Sequence, residues 1–169
     1  LKQEGYTHFH FGPGHELTPE DGHVETLIAT RMPSISIFSP VQKLPARHCF
    51  GGGIIGIHIP SKNIFVIQLH LALPTAQRKP FHIRQMELVL QEVQKILKNM
   101  PHAKIVIMGD FNSSKTALTT LFPEFAAWKS ASVNTHTYSA TNLLKWLYKR
   151  TLDHIFTRSE KVKNAGVIE

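Results

Sequence analysis

Four polar residues stand at or beside the ends of apolar runs in this chain: His70 in Q-L-H-L, Asp110 and Asn112 in M-G-D-F-N, and Asp153 in T-L-D-H-I-F. An extended backbone sends side chains two positions apart to the same side, so Asp110 and Asn112 are expected to face one ligand together. A carboxylate can bind a hard cation or take a proton from water, and a primary amide can hold an oxyanion in place. That combination suits phosphoryl transfer. The same residues also admit a structural reading, in which Gly109-Asp110 forms a strand-end turn and Asn112 caps a following helix.

The segments that must position these groups are legible in the pattern of apolar residues. Residues 24–31, 34–39 and 54–59 are rich in Ile, Val, Thr and Phe and are separated by Pro33, Pro40, Pro45 and Gly51-Gly52-Gly53, the pattern of short antiparallel strands. Residues 63–71 hold the run Ile64-Phe65-Val66-Ile67, expected for a central strand covered on both faces. Met86, Leu90, Val93, Leu97 and Met100 recur at helical spacing, so the sequence predicts a helix over 80–99, opened by Pro80 and stopped by Pro101. Lys104 to Met108 then forms a second buried strand leading into Gly109-Asp110-Phe111-Asn112. One or two short helices are expected over 113–128 and a further strand over 151–157. Many strands with one long helix between two apolar ones indicate an α/β layered domain.

Composition sets the frame. The chain has 169 residues, 42% hydrophobic and 18% charged, which fits one domain with a real core and excludes disordered and fibrous classes. The single cysteine, Cys49, cannot close an internal disulfide and has no motif to activate it, so a reducing, intracellular compartment is favoured. No run approaches the length of a membrane span, no signal peptide is evident, and the first residue is not Met, so residues upstream are expected. The net charge is +7, and it is unevenly placed: residues 1–60 carry −1 and residues 61–169 carry +8. A positive field of that size attracts polyanions such as nucleic acid or anionic head groups.

The order Q-L-H-L, long helix, I-V-I-M-G-D-F-N and T-L-D-H-I-F resembles the endonuclease/exonuclease/phosphatase superfamily. That group includes pancreatic-type deoxyribonucleases, abasic-site endonucleases, deadenylases, sphingomyelinases and inositol-polyphosphate phosphatases. T-L-I-A-T-R-M-P, Thr26 to Pro33, is similar to the family's strand ending in Ser-Arg-x-Pro, and Arg84-Gln85 lies where its helix carries Arg-x-x-Gln or a close variant. The resemblance implies an α/β sandwich of two packed mixed sheets with helices outside. It also implies a Mg²⁺-dependent (or Mn²⁺-dependent) phosphoesterase that uses water. Asp110 would orient or deprotonate that water. Asn112 would hold the scissile phosphate and, with Asp110, help position the metal. His70 would donate a hydrogen bond or proton to the phosphate, and Asp153 would orient a second histidine.

The departures from the family pattern are equally specific. Its metal-binding glutamate precedes the Gly-Tyr region, which here is Gly5-Tyr6 at the start of the chain, and Glu4 is adjacent to that region rather than upstream of it. Its closing Ser-Asp-His would lie beyond Gly166, and the sequence ends at Glu169. On this resemblance the 169 residues are an internal portion of a longer domain, lacking strands at both ends, and are expected to be inactive alone.

Other residues are read as structural. His8, His10, His15 and His23 lack the cysteine or H-E-x-x-H spacing of a zinc site. Gly51-Gly52-Gly53 precedes a strand rather than a helix, which suits a hairpin turn and not a phosphate cradle. His154 should point to the opposite face from Asp153. Trp128, Trp146 and Tyr148, near Lys145, Lys149 and Arg150, are expected to pack on the core rather than stack on bases. The substrate favoured by the basic residues is nucleic acid, with a lipid or inositol phosphate, or a noncatalytic basic binding fold, as the alternatives.

Overall fold

The apolar runs become neighbouring strands. The computed structural model describes residues 1–12, 26–40, 53–131, 138–139, 149–150 and 153–158. Strands β1 (His8–Gly12) and β2 (Thr26–Thr30) form an antiparallel pair. Strands β3 (Ile35–Phe38), β4 (Ile54–Ile59) and β5 (Ile64–His70) follow, with a 3₁₀ turn at Pro60–Lys62 joining the last two. Helix α1 (Lys79–Asn99) leads to β6 (Lys104–Asp110), helix α2 (Lys115–Leu121) and a 3₁₀ turn at Pro123–Ala127. Strands β7 (Lys129–Ala131), β8 (Tyr138–Ser139), β9 (Lys149–Arg150) and β10 (Asp153–Arg158) complete the described elements.

Among the described residues the main sheet has six strands in the order β3-β4-β5-β6-β10-β7. It is mixed: β5 and β6 run parallel, joined by the α1 crossover, and the other neighbours are antiparallel. β1 and β2 form a separate two-stranded sheet, and β8 with β9 another. The β1-β2 pair meets β4 and β5, so the smaller sheet lies over the larger one. The architecture is the α/β sandwich expected, and no barrel closes among the described residues.

Alternation sorts the main sheet into two faces. Phe65, Ile67, Leu69, Ile105, Ile107 and Phe156 point toward α1, where Met86, Val89, Val93 and Ile96 complete one apolar core. Ile55, Ile57 and Ile59 point the other way and pack with Ile28 of β2. The helix differs from its predicted stripe. Its buried line is His82, Gln85, Met86, Val89, Val93 and Ile96, with Leu90 and Leu97 on the flank and Met100 exposed. The stripe counted only apolar residues, and two of the six positions that face the sheet are polar.

Observed bounds otherwise follow the expected ones closely. The strand expected over 24–31 is described from Thr26 and that over 151–157 from Asp153, and residues 24, 25, 151 and 152 lie outside the described residues. Among the described residues no helix is long and apolar enough to cross a membrane.

Candidate active site

Strand register brings three of the sequence-selected residues into one row. His70 is the last residue of β5 and pairs with Asp110, the last of β6, and Asp110 pairs in turn with Asp153, the first of β10. Residues directly opposite on adjacent strands share a face, and neighbouring strands lie about 4.8 Å apart. The row therefore sits where these three interior strands end, on the face away from α1. His70 Nε2 lies 3.8 Å from Asp110 Oδ2, with each side chain about a third exposed (35% and 33%). A ligand can reach both.

Asn112 arrives by a different route from the one alternation suggests. β6 ends at Asp110, and Asn112 takes a left-handed backbone, φ 49°. Its N–H donates to Asp110 Oδ1 at 2.7 Å, and its Nδ2 donates to the carbonyl of Leu71 at 2.6 Å. The turn, rather than a continued strand, keeps the amide beside the carboxylate. Asn112 is not the helix cap; Ser114 is, its hydroxyl accepting from Ala117 N–H at the start of α2. The turn is locked from both sides, because Leu71 N–H donates to the Asp110 carbonyl at 2.8 Å and His70 N–H to the Gly53 carbonyl at 2.8 Å.

Burial raises the Asp110 carboxyl above the ordinary carboxylate range, and the neighbouring Asp153 adds to the rise, against the Asn112 N–H and His70, which pull it down. A carboxyl moved upward is a better proton acceptor near neutrality.

A buried polar series backs the row on the α1 face. The Ala72 N–H donates to Gln85 Oε1 at 2.9 Å, and His82 Nδ1 lies 2.8 Å from the Ala72 carbonyl. A carbonyl only accepts, so Nδ1 carries the proton and Nε2 is left to accept from the Ser113 hydroxyl, 3.3 Å away. The Ser113 carbonyl in turn accepts from His154 Nε2 at 2.9 Å. Burial depresses both imidazoles below the ordinary value of 6.5. Both are therefore neutral in the fold at neutral pH, while the unfolded chain protonates them as pH falls through about 6.5. With the opposing Asp110 carboxyl removed by Asp110→Asn, stability should decline as pH drops from 7.5 to 5, measured as a falling denaturation midpoint in guanidinium chloride; a midpoint that rose over this range in that variant would contradict the assignment.

Sequence reasoning missed His82. Its signal was available: a histidine three positions before Gln85 and four before Met86 falls on the buried face of the helix, where a polar side chain needs partners. Counted back from Gln85, the Arg-x-x-Gln spacing also falls on His82 rather than on Arg84, which is exposed and paired with Glu87 at 3.3 Å.

The remaining candidates stay apart from the row. Thr26, at the other end of β2 from Arg31, is the residue that meets Gly53, and Arg31 stacks its guanidinium over Tyr6 at 5.0 Å. Glu4 lies in the exposed turn at the N-terminus. His10 bonds Ser34 at 2.8 Å, and no group of three or more metal-ligating side chains occurs among the described residues. His154 is buried beside Phe111 and Phe156, opposite in face to Asp153. Trp128 packs on Phe125. His15, His23, Cys49, Gly51, Gly52, Lys145, Trp146 and Tyr148, and the side chains of Lys149 and Arg150, lie outside what is described.

As a hard-cation site the row offers a partial donor set: the Asp110 carboxylate and the amide oxygen of Asn112, whose nitrogen is engaged by Leu71. Mg²⁺ keeps several waters and takes one or two carboxylates plus substrate phosphate oxygens, so the residues fit such an ion without enclosing it.

No family model and no curated relative matches the sequence. Solved structures do. TDP2 from D. rerio, in complex with a single-strand DNA product, superposes with a TM-score of 0.57 at 17% identity over 95% of this chain and 64% of that one. The human Nocturnin catalytic domain with a bound sulfate anion gives 0.56 at 19% identity, over 94% and 63%. A β-hairpin deletion mutant of beta toxin from Staphylococcus aureus gives 0.56 at 18% identity, over 99% and 71%. The chain thus spans roughly two thirds of the length of these structures. At such identities the likeness is one of fold, and the fold this chain shares with all three is the endonuclease/exonuclease/phosphatase-like α/β sandwich.

Proposed function

We propose that this protein is a divalent-metal-dependent phosphoesterase that hydrolyses nucleic-acid phosphodiesters. The observation that carries the reading is the register of His70, Asp110 and Asp153 across three adjacent strands, with Asn112 folded back onto Asp110. A phosphodiester laid along this row presents its non-bridging oxygens to the imidazole and the amide. Asp110 holds a water in line and takes its proton as the water oxygen bonds to phosphorus; the P–O bond to the leaving group breaks, and His70, when protonated, supplies the proton that the leaving oxygen needs. Asp153 stands beside Asp110 in the row, and its negative charge helps to keep the Asp110 carboxyl basic. A bound Mg²⁺ or Mn²⁺ would add charge stabilisation at the phosphate, and Asp110 with Asn112 are the residues that would hold it.

Two further observations favour nucleic acid as the substrate. The +8 segment covers residues 61–169, which include the whole row. TDP2, of the same fold, is seen with a single-strand DNA product.

The test is hydrolysis by the complete protein of single-stranded and duplex oligonucleotides, and separately of sphingomyelin and phosphoinositide vesicles, each with Mg²⁺ and with EDTA. EDTA-sensitive cleavage of oligonucleotides is expected. Binding to duplex DNA should weaken with salt at a slope of about −0.9 per phosphate neutralised. Cleavage confined to the lipids would replace the substrate class, and EDTA-insensitive cleavage would remove the metal. No turnover of any of them, alongside no binding at low salt, would favour a noncatalytic protein.

A further inference from the structure

Helix α1 could bury Phe or Leu at position 82, yet it buries a histidine with no exposed surface. A buried imidazole costs free energy unless its nitrogens are matched, and both of them are. The partners share one property. Ala72 stands two residues after His70, and Ser113 directly follows Asn112, so one ring touches both turns that leave the catalytic row. Those turns are otherwise joined by two bonds, Leu71 N–H to the Asp110 carbonyl and Asn112 Nδ2 to the Leu71 carbonyl. The third tie comes from the helix. Gln85, one turn along, accepts from Ala72 N–H and so fastens α1 to the first of the two turns.

We propose that His82 is a positioning residue for this site: it ties helix α1 to the Leu71-Ala72 and Asn112-Ser113 turns, and so sets the distance between His70 and Asp110 and the fold of Asn112 onto Asp110. Its catalytic consequence rests on the phosphoesterase reading; its structural consequence rests on the hydrogen bonds alone. The ring suits the task because its two nitrogens diverge from one rigid plane. It donates to one turn and accepts from the other, and no flexible chain lies between them.

Two variants of the complete protein separate this role from simple core filling. His82→Phe fills the volume and loses both bonds. His82→Asn sets an amide N–H near the place of Nδ1–H and retains the tie to Ala72 alone. A misplacement of about 1 Å at a reacting group costs roughly 100-fold, so kcat on an oligonucleotide should fall by about that factor in His82→Phe with KM nearly unchanged. His82→Asn should recover about a tenth or more of the lost rate. Hydrogen exchange gives a readout that needs no activity. In metal-free protein the Leu71 and Asn112 amides, which donate to Asp110, should exchange about tenfold or more faster in His82→Phe, while amides in the middle of α1 keep their protection.

A folded His82→Phe with parental exchange at Leu71 and Asn112, or with kcat within about twofold of the parent, would overturn the proposal. If the parent itself hydrolyses nothing, the phosphoesterase reading fails by that result, and the exchange experiment alone decides whether His82 positions the turns. If His82→Phe does not fold, Ser113→Ala removes the second tie with the ring in place, and the same two readouts apply to it.

Discussion

Asp110→Asn is expected to lower hydrolysis by about 10²- to 10⁴-fold while making the folded protein more stable at neutral pH. The two effects have one origin. Burial and the neighbouring Asp153 raise the Asp110 carboxyl above its ordinary value of 3.8, so the native state holds this proton more firmly than the unfolded chain does. Between that value and the raised native one, the native state binds more protons, and stability falls as pH increases through the window. Above it the cost is constant. An asparagine carries no charge to desolvate, and its Oδ1 can still accept from the Asn112 N–H. The gain in melting temperature should therefore be present at pH 7 and vanish as pH falls below about 4, where the parent carboxyl is protonated in both states. A variant less stable than the parent at pH 7 would mean that the carboxylate is a net stabiliser here. Unchanged turnover would remove Asp110 from the chemistry. His70→Ala, without this electrostatic relief, should lose rate over the same range with no gain in stability.

That trade-off was partly legible before the structure. Strands β5 and β6 and helix α1 announce themselves because continuous apolar runs and a 3.6-residue period are properties of neighbouring residues. The polar residues that end those runs, His70, Asp110 and Asp153, could be picked out for the same reason. What the pattern did not contain was register: that His70, Asp110 and Asp153 stand opposite one another depends on pairing between segments about 40 residues apart. The manner of Asn112's arrival was hidden as well, since alternation assumes an extended backbone and the chain leaves it immediately after Asp110. The series Gln85, His82, Ser113 and His154 was hidden more deeply, because three of its four hydrogen bonds end on backbone atoms of Ala72 and Ser113. No side-chain pattern reports a backbone carbonyl, and a histidine on an apolar stripe only signals that some partner must exist.

The Leu69-Gly109 pair is where the site depends most on a residue without chemistry of its own. Gly109 precedes Asp110 and adopts φ +130°, a conformation that side chains rarely take. An added Cβ would overlap the carbonyl oxygen of Leu69 on β5, with the carbonyl carbon 3.0 Å away and the Leu69 nitrogen 3.1 Å away. These atoms are backbone within a parallel ladder and cannot swing aside. Gly109→Ala must therefore spread β5 from β6 at the very pair that precedes His70 and Asp110. Strained φ alone costs about 1 to 3 kcal/mol, and the clash adds to it, so a loss of about 3 kcal/mol or more is expected, or roughly 6 to 12 °C in melting temperature for a chain of this size. Turnover should fall along with it even where the protein is fully folded, because the clash acts on the spacing of the two reacting side chains. Gly5→Ala is the control: Gly5 also has positive φ, +80°, but an added Cβ meets only the Arg31 Nε, at 3.9 Å. It should cost about 1 kcal/mol and leave activity alone. Equal losses from the two substitutions would show that backbone conformation, and not the approach of β5 to β6, is what Gly109 provides.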